Sequence, residues 1–243
     1  MSCYRVAGKD TCRPAFQKTL HHFLVFAGLL VLSSGCLGPK KINKWVSRHY
    51  EGTIPPAPPA KANETITITT SLPPAADKLS NTEKKTSHFL PLLFYWQWDY
   101  KNTCVLNTKI AVNNFMNTVP AYAGRKGLKQ KLHGQRLQLS IDQVPNTFAV
   151  DDKGHMIWII YAFGWDVLTV QPTRTDLVVS YKLLQPDGTE VKTGVITIPD
   201  SDKGISIKMF QSLKKKTGQY LDQYDEQMTG MSKAVVDKLI MEL

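Results

Sequence analysis

Residues 136–198 most restrict the folds open to this chain, because their apolar residues recur with a period of two. In "RLQLSIDQV" the apolar positions are Leu137, Leu139 and Ile141, and in "DLVVSYKLL" they are Leu177, Val179, Tyr181 and Leu183. Successive strand side chains point to opposite faces, so this alternation predicts half-buried strands. "QPDGTE" predicts a tight turn: Pro186 presets φ and Gly188 accepts a positive one. "VKTGVITI" then closes a hairpin. "HMIWIIYAFGWDVLTV" is apolar on both faces and predicts one central strand. "HFLPLLFYWQWDY", residues 88–100, alternates from Leu90 to Trp98 and predicts another.

Two segments carry helical spacing instead. Within residues 107–135, Ala111, Phe115, Val119 and Tyr122 share a face, with a kink or break expected at Pro120 and Gly124. From about 205 to 242, Phe210, Leu213, Tyr220, Leu221, Tyr224, Met228, Met231, Val235 and Leu239 outline a long amphipathic helix, open to a break at Gly218 or Gly230. The fold class expected is α+β: one mostly antiparallel sheet packed against a kinked helix and a long C-terminal helix, a two-layer sandwich.

The N-terminal third has a different composition. Arg5, Lys9, Arg13 and Lys18 precede ten apolar residues, "FLVFAGLLVL", and then Leu32-Ser33-Ser34-Gly35-Cys36. A basic region, a short apolar region and small residues before a cut are the layout of a secretory signal. Nineteen uncharged residues, 21–39, approach the length of a membrane span, but the serines, glycines and Pro39 make their last third a poor helix. The small residues before Cys36 resemble the lipobox of bacterial lipoproteins, with Ser33 where leucine is commonest. That resemblance implies cleavage between Gly35 and Cys36, a diacylglyceryl thioether on Cys36 and an N-acyl group. It also implies palmitate-type acyl chains in the membrane as the attachment. Leu37 follows, not the aspartate that retains many such proteins at the inner membrane. The resemblance therefore implies the periplasmic face of the outer membrane, with the inner membrane as the alternative.

These readings divide the chain into a signal peptide (1–35), a lipidated N-terminus with a Pro-rich tether (36–63), a strand and mobile loop (64–87), and a globular α+β domain (88–243). Within the tether, residues 42–50 have length for two helical turns, and "EGTIPPAPPAKAN" carries four prolines. In arrangement, residues 64–243 are similar to the auxiliary lipoproteins of ABC-type transport systems and other small envelope lipoproteins. No shared motif transfers residue roles.

Catalytic chemistry finds no foothold in the sequence. His49, His88, His133 and His155 are scattered, without partners at metal-ligand spacing. There is no nucleophile elbow and no glycine-rich phosphate loop. Asp151 and Asp152 read as part of a hairpin turn. If the chain starts at Cys36, Cys104 has no disulfide partner. The net charge is +10 overall and +7 from Cys36 onward, without an Arg-rich helix or aromatic motif for nucleic acid. Four tryptophans read first as core packing and, alternatively, as a candidate apolar binding face: Trp96 and Trp98 on one side of a strand, Trp158 and Trp165 on opposite sides of another. The expectation is a non-enzymatic envelope lipoprotein without metal or cofactor, held by its lipid and docking on an envelope complex. The alternative is a carrier of lipid or another small ligand, with a pocket between sheet and helices.

Overall fold

In the computed structural model, the described residues are 38–59, 65–74, 77–159, 162–208 and 211–243. Gly35, Cys36 and the signal segment lie outside them, as does Phe210. The fold is α+β, mostly antiparallel, with helices packed on sheets. The strands are divided between two sheets where the periodicity alone suggests one.

The first sheet has the order β1-β4-β7-β8, formed by Ile66–Thr70, Arg136–Gln143, Leu177–Leu184 and Glu190–Ile198. Its alternation follows the expected pattern, for Leu137, Leu139, Ile141, Leu177, Val179 and Tyr181 are all buried on one face. The turn between β7 and β8 holds Gly188 at φ 91°. β1 runs parallel to β4, pairing Ile66 with Leu137 and Thr70 with Ile141. Asp142 ties three segments of this sheet together by accepting from the hydroxyls of Ser71 (2.8 Å), Ser140 (3.0 Å) and Ser180. Burial works to raise its carboxyl, but those hydroxyl donors outweigh it and hold the carboxyl below its ordinary value. A folded value below the unfolded one stabilises the fold above about pH 4, and that contribution fades as pH falls through the folded value. Asp142→Asn is therefore expected to lose about 1–2 kcal/mol at pH 7. In urea melts the gap from wild type should close progressively below pH 4.

The second sheet has the order β2-β3-β5-β6-β9, formed by Ser80–Pro91, Tyr95–Leu106, Thr147–Trp158, Ala162–Pro172 and Ile205–Ile207. β2 takes residues 80–87 of the mobile loop expected at 73–87, and residues 88–100 split between β2 and β3 around a turn at 92–94. Residues 155–170 likewise form two strands of a hairpin, not one central strand. Asp151 and Asp152 sit within β5, where adjacent side chains diverge to opposite faces, so they are neither a turn nor a carboxylate pair.

Among the described residues, four helices complete the fold: α1 (Pro39–His49), α2 (Thr108–Arg125), α3 (Leu128–Lys131) and α4 (Leu213–Glu242). Asn107 caps α2 by accepting from the Lys109 amide, and the helix continues through Pro120 to Arg125. α4 runs thirty residues without a break at Gly218 or Gly230. Its inner stripe, including Leu221, Tyr224, Met228, Val235 and Leu239, is buried. α4 packs on α1, α2 and strands of both sheets, with Tyr220 5.1 Å from Phe148 and the Tyr224 hydroxyl donating to the Pro145 carbonyl. No helix among the described residues is long and apolar enough to cross a membrane.

The N-terminal segment is a correction to the tether. α1 buries Ile42 and Val46 completely, and its Asn43 accepts from the hydroxyls of Ser80 and Thr82. The Pro-rich stretch lies along α2, whose Asn113 and Asn117 side-chain amides donate to the carbonyls of Pro55 and Pro56. The folded unit starts at Gly38, not at residue 88.

Candidate interaction arm

β2–β3 and β5–β6 are two long hairpins zipped together into one arm. Residues level with one another across it are Pro91, Trp96, Met156 and Gly164, then Phe89, Trp98, Gly154 and Asp166, then His88, Asp99, Lys153 and Val167. Near the helices, Cys104, Leu106, Phe148, Val150 and Val170 are buried. Away from them the arm leaves the core. Both hairpins turn at the same end, where the Trp158 amide donates to the Phe94 carbonyl.

The far end of the arm is apolar and open to solvent. Of the thirteen large hydrophobic side chains that are exposed among the described residues, nine are here: Phe89, Leu90, Leu92, Leu93, Phe94, Ile159, Phe163, Trp165 and Val167. Leu93 is 84% exposed and Ile159 76%. Scattered exposed apolar residues are ordinary, but a contiguous group of this size marks an interaction surface. Sequence reading missed it by placing Leu90, Leu92 and Phe94 on the buried face of a single strand. The available signal was two stretches without Asp, Glu, Lys or Arg, 89–98 and 154–165.

The four candidate tryptophans all lie in this arm and outside the core. Trp96, Trp98 and Trp158 share a face, with the Trp96 and Trp158 rings 5.5 Å apart. Trp165 is on the other face, 57% exposed, against His155. Trp158 and Trp165 are on opposite faces, as expected, but on different strands. No groove joins all four. Trp98 lies flat over Gly154, where an added Cβ would stand 2.2 Å from its ring, and its indole N–H donates to Asp152 at 2.8 Å. Burial, above all, raises the Asp152 carboxyl; the Trp98 bond opposes this and nearby Asp166 adds to it. On the other face, the Tyr95 hydroxyl meets His155 Nδ1 at 2.6 Å, and Lys153 pairs with Asp99 at 3.2 Å.

The remaining polar groups are dispersed. His49 sits beside Asp225 at the end of α1, His88 on β2, His133 after α3 and His155 in the arm. No group of three or more His, Cys, Asp or Glu side chains with metal-binding geometry occurs among the described residues. Cys104 is buried, and desolvation pushes its thiol up to about 11 against the opposing hydroxyls of Thr82 and Ser80. That suppresses the thiolate needed for reactivity. A depression of about 240 Å³ lies beside α2, lined by Pro55, Ile110, Asn114, Asn117, Thr118 and Asp225. It is open and edged by amides and a carboxylate, and it does not lie between sheet and helices as a carrier pocket would. Comparison with protein-family models, curated proteins and solved structures finds no match to this chain.

Proposed function

We propose that the chain is a non-enzymatic, lipid-anchored lipoprotein of the bacterial envelope, held at the periplasmic face of the outer membrane. It serves there as a docking or accessory component of a transport or assembly complex. The observation that carries the docking reading is the arm: a folded domain projects two hairpins whose ends expose nine large apolar side chains to an envelope surface, protein or bilayer. Leaving such side chains in water forgoes about 1.5–3 kcal/mol for each that could be fully buried. A partner that covers even part of the surface gains several kcal/mol. The anchor rests on the arrangement around Cys36. It concentrates the domain in two dimensions, so a modest arm affinity is enough for lasting engagement.

Shortening the arm tests this. Joining Ser87 to Tyr100 and Asp152 to Leu168 by two-residue turns removes both ends and spares the buried base. The shortened protein is expected to melt within about 1 kcal/mol of wild type, since surface changes away from the core rarely cost more. It should still fractionate with membranes. Site-specific photocrosslinks formed in cells from the Leu93 and Ile159 positions of wild type should identify the contact, and cells carrying the shortened arm should reproduce the phenotype of deleting the protein. Full function without the arm would refute the docking role.

A further inference from the structure

We infer that the end of the arm is immersed in the interfacial region of a lipid bilayer. The inference rests on the envelope reading above and names the surface that the arm engages.

Three observations select lipid over a protein partner. First, the apolar side chains surround the end of the arm and are not confined to one face: Trp96 and Trp158 face one way, Phe163 and Trp165 the other, and Leu93 and Ile159 cap the turns. A folded partner covers one face, whereas a fluid apolar solvent covers all sides at once. Second, the ionic side chains stop at one level. Asp99, Lys153 and Asp166 lie on adjacent rows across the sheet, and beyond them neither hairpin carries Asp, Glu, Lys or Arg. From that boundary to the turns is about five residues, or roughly 16 Å at strand rise. That depth matches the headgroup region and upper acyl chains of one leaflet, about half a bilayer core at most. Tyr95, Trp96 and Trp158 lie within it, as amphipathic rings do at membrane interfaces.

Third, the outer edge of the arm resists addition of another strand. Leu92 and Tyr95 exchange both backbone hydrogen bonds, so the neighbouring pair, Pro91 and Trp96, directs its backbone nitrogens away from each other. Pro91 therefore presents the free edge of β2 with a nitrogen that has no hydrogen to donate. Farther down that edge are a bulge between Lys84 and Thr86 and the exposed Lys84 and Lys85, all devices that discourage edge pairing. The same open edges set the depth. Unpaired amides of β2 and β6 would be left bare in the hydrocarbon centre but stay hydrated at the interface.

The test uses the chain from Gly38 to Leu243, which comprises the folded unit and carries no acyl group, so binding reports the arm alone. Vesicles of phosphatidylcholine at physiological salt serve as the probe, excluding attraction of the basic protein to anionic headgroups. The protein is expected to float with the vesicles, and lipids brominated near the headgroup should quench its tryptophan fluorescence more than lipids brominated at the chain ends. Leu93→Asp and Ile159→Asp, both at solvent-exposed turns, should each weaken vesicle binding at least tenfold with unchanged circular dichroism. Val195→Asp, an exposed apolar position on the other sheet, should leave it unchanged. Failure to float, or equal binding by the tip variants, would overturn the inference. So would a dimer in vesicle-free solution that Leu93→Asp dissociates, which would make a second copy the occupant. Retention of the acylated protein in membranes, combined with any of these failures, would leave the anchored docking role standing with a protein partner at the arm.

Discussion

Replacing Val46 with Asp is expected to unfold the domain or lower its stability by about 3–5 kcal/mol, the cost of forcing an unpaired charge into a filled core. Val46 and Ile42 are completely buried by α1, and Tyr50 just beyond it is 8% exposed. Each such side chain is worth about 1.5–3 kcal/mol. Together they are comparable to much of the 5–15 kcal/mol that stabilises an ordinary domain. The helix is also secured by polar contacts, since the Tyr50 hydroxyl donates to Asp225 at 3.0 Å and His49 lies 3.5 Å from the same carboxylate. Burial, followed by the charge of Asp225, raises the Tyr50 hydroxyl far above its ordinary range, so it remains a donor at any physiological pH. A flexible tether would tolerate Val46→Asp without effect. Chemical denaturation followed by circular dichroism distinguishes the two, and the exposed neighbour Lys44→Asp is the control expected to change little.

Cys36→Ala carries the second large effect. If Cys36 bears the acyl groups, each buried methylene contributes about 0.8 kcal/mol to membrane attachment, and two or more chains make that attachment lasting. Removing the sulfur removes the site for all of it. The variant is expected either to appear in the soluble periplasmic fraction or to remain uncleaved with its signal segment. Wild type should stay with the outer membrane through salt and carbonate washes. Retention of Cys36→Ala at wild-type size and in the wild-type fraction would contradict the lipid anchor.

How far the fold could be read from sequence depended on where each element sits. The strands holding Leu137–Ile141 and Leu177–Leu183 were legible because one face is buried and the other wet, and the second enters its hairpin with β8 through a Pro-Asp-Gly turn. α4 was legible from its apolar stripe, and its glycines cost too little against that much burial to interrupt it. The arm was not, because its turns lack turn chemistry: Leu92, Leu93 and Phe94 stand where Gly, Asn or Asp would be expected. Without punctuation, two strands read as one. β2 was missed for the opposite reason, since an edge strand with Glu83, Lys84 and Lys85 exposed has the composition of a loop. The Pro-rich segment is held by its own carbonyls, which a side-chain pattern cannot announce. The division into two sheets follows from pairings distant in sequence, about which local periodicity is silent. Of the candidate site, the four tryptophans named from sequence all fall in the arm, but their aliphatic companions at the turns were assigned to a core they do not enter.

The proposed lipid anchor at Cys36 is tested most directly by the intact mass of the protein extracted from membranes. The expected result is a chain that begins at Cys36 and carries a diacylglyceryl group and one further acyl chain, with the added mass localised to the N-terminal peptide. An unmodified chain of 27.3 kDa that retains Met1 and the leader would contradict it.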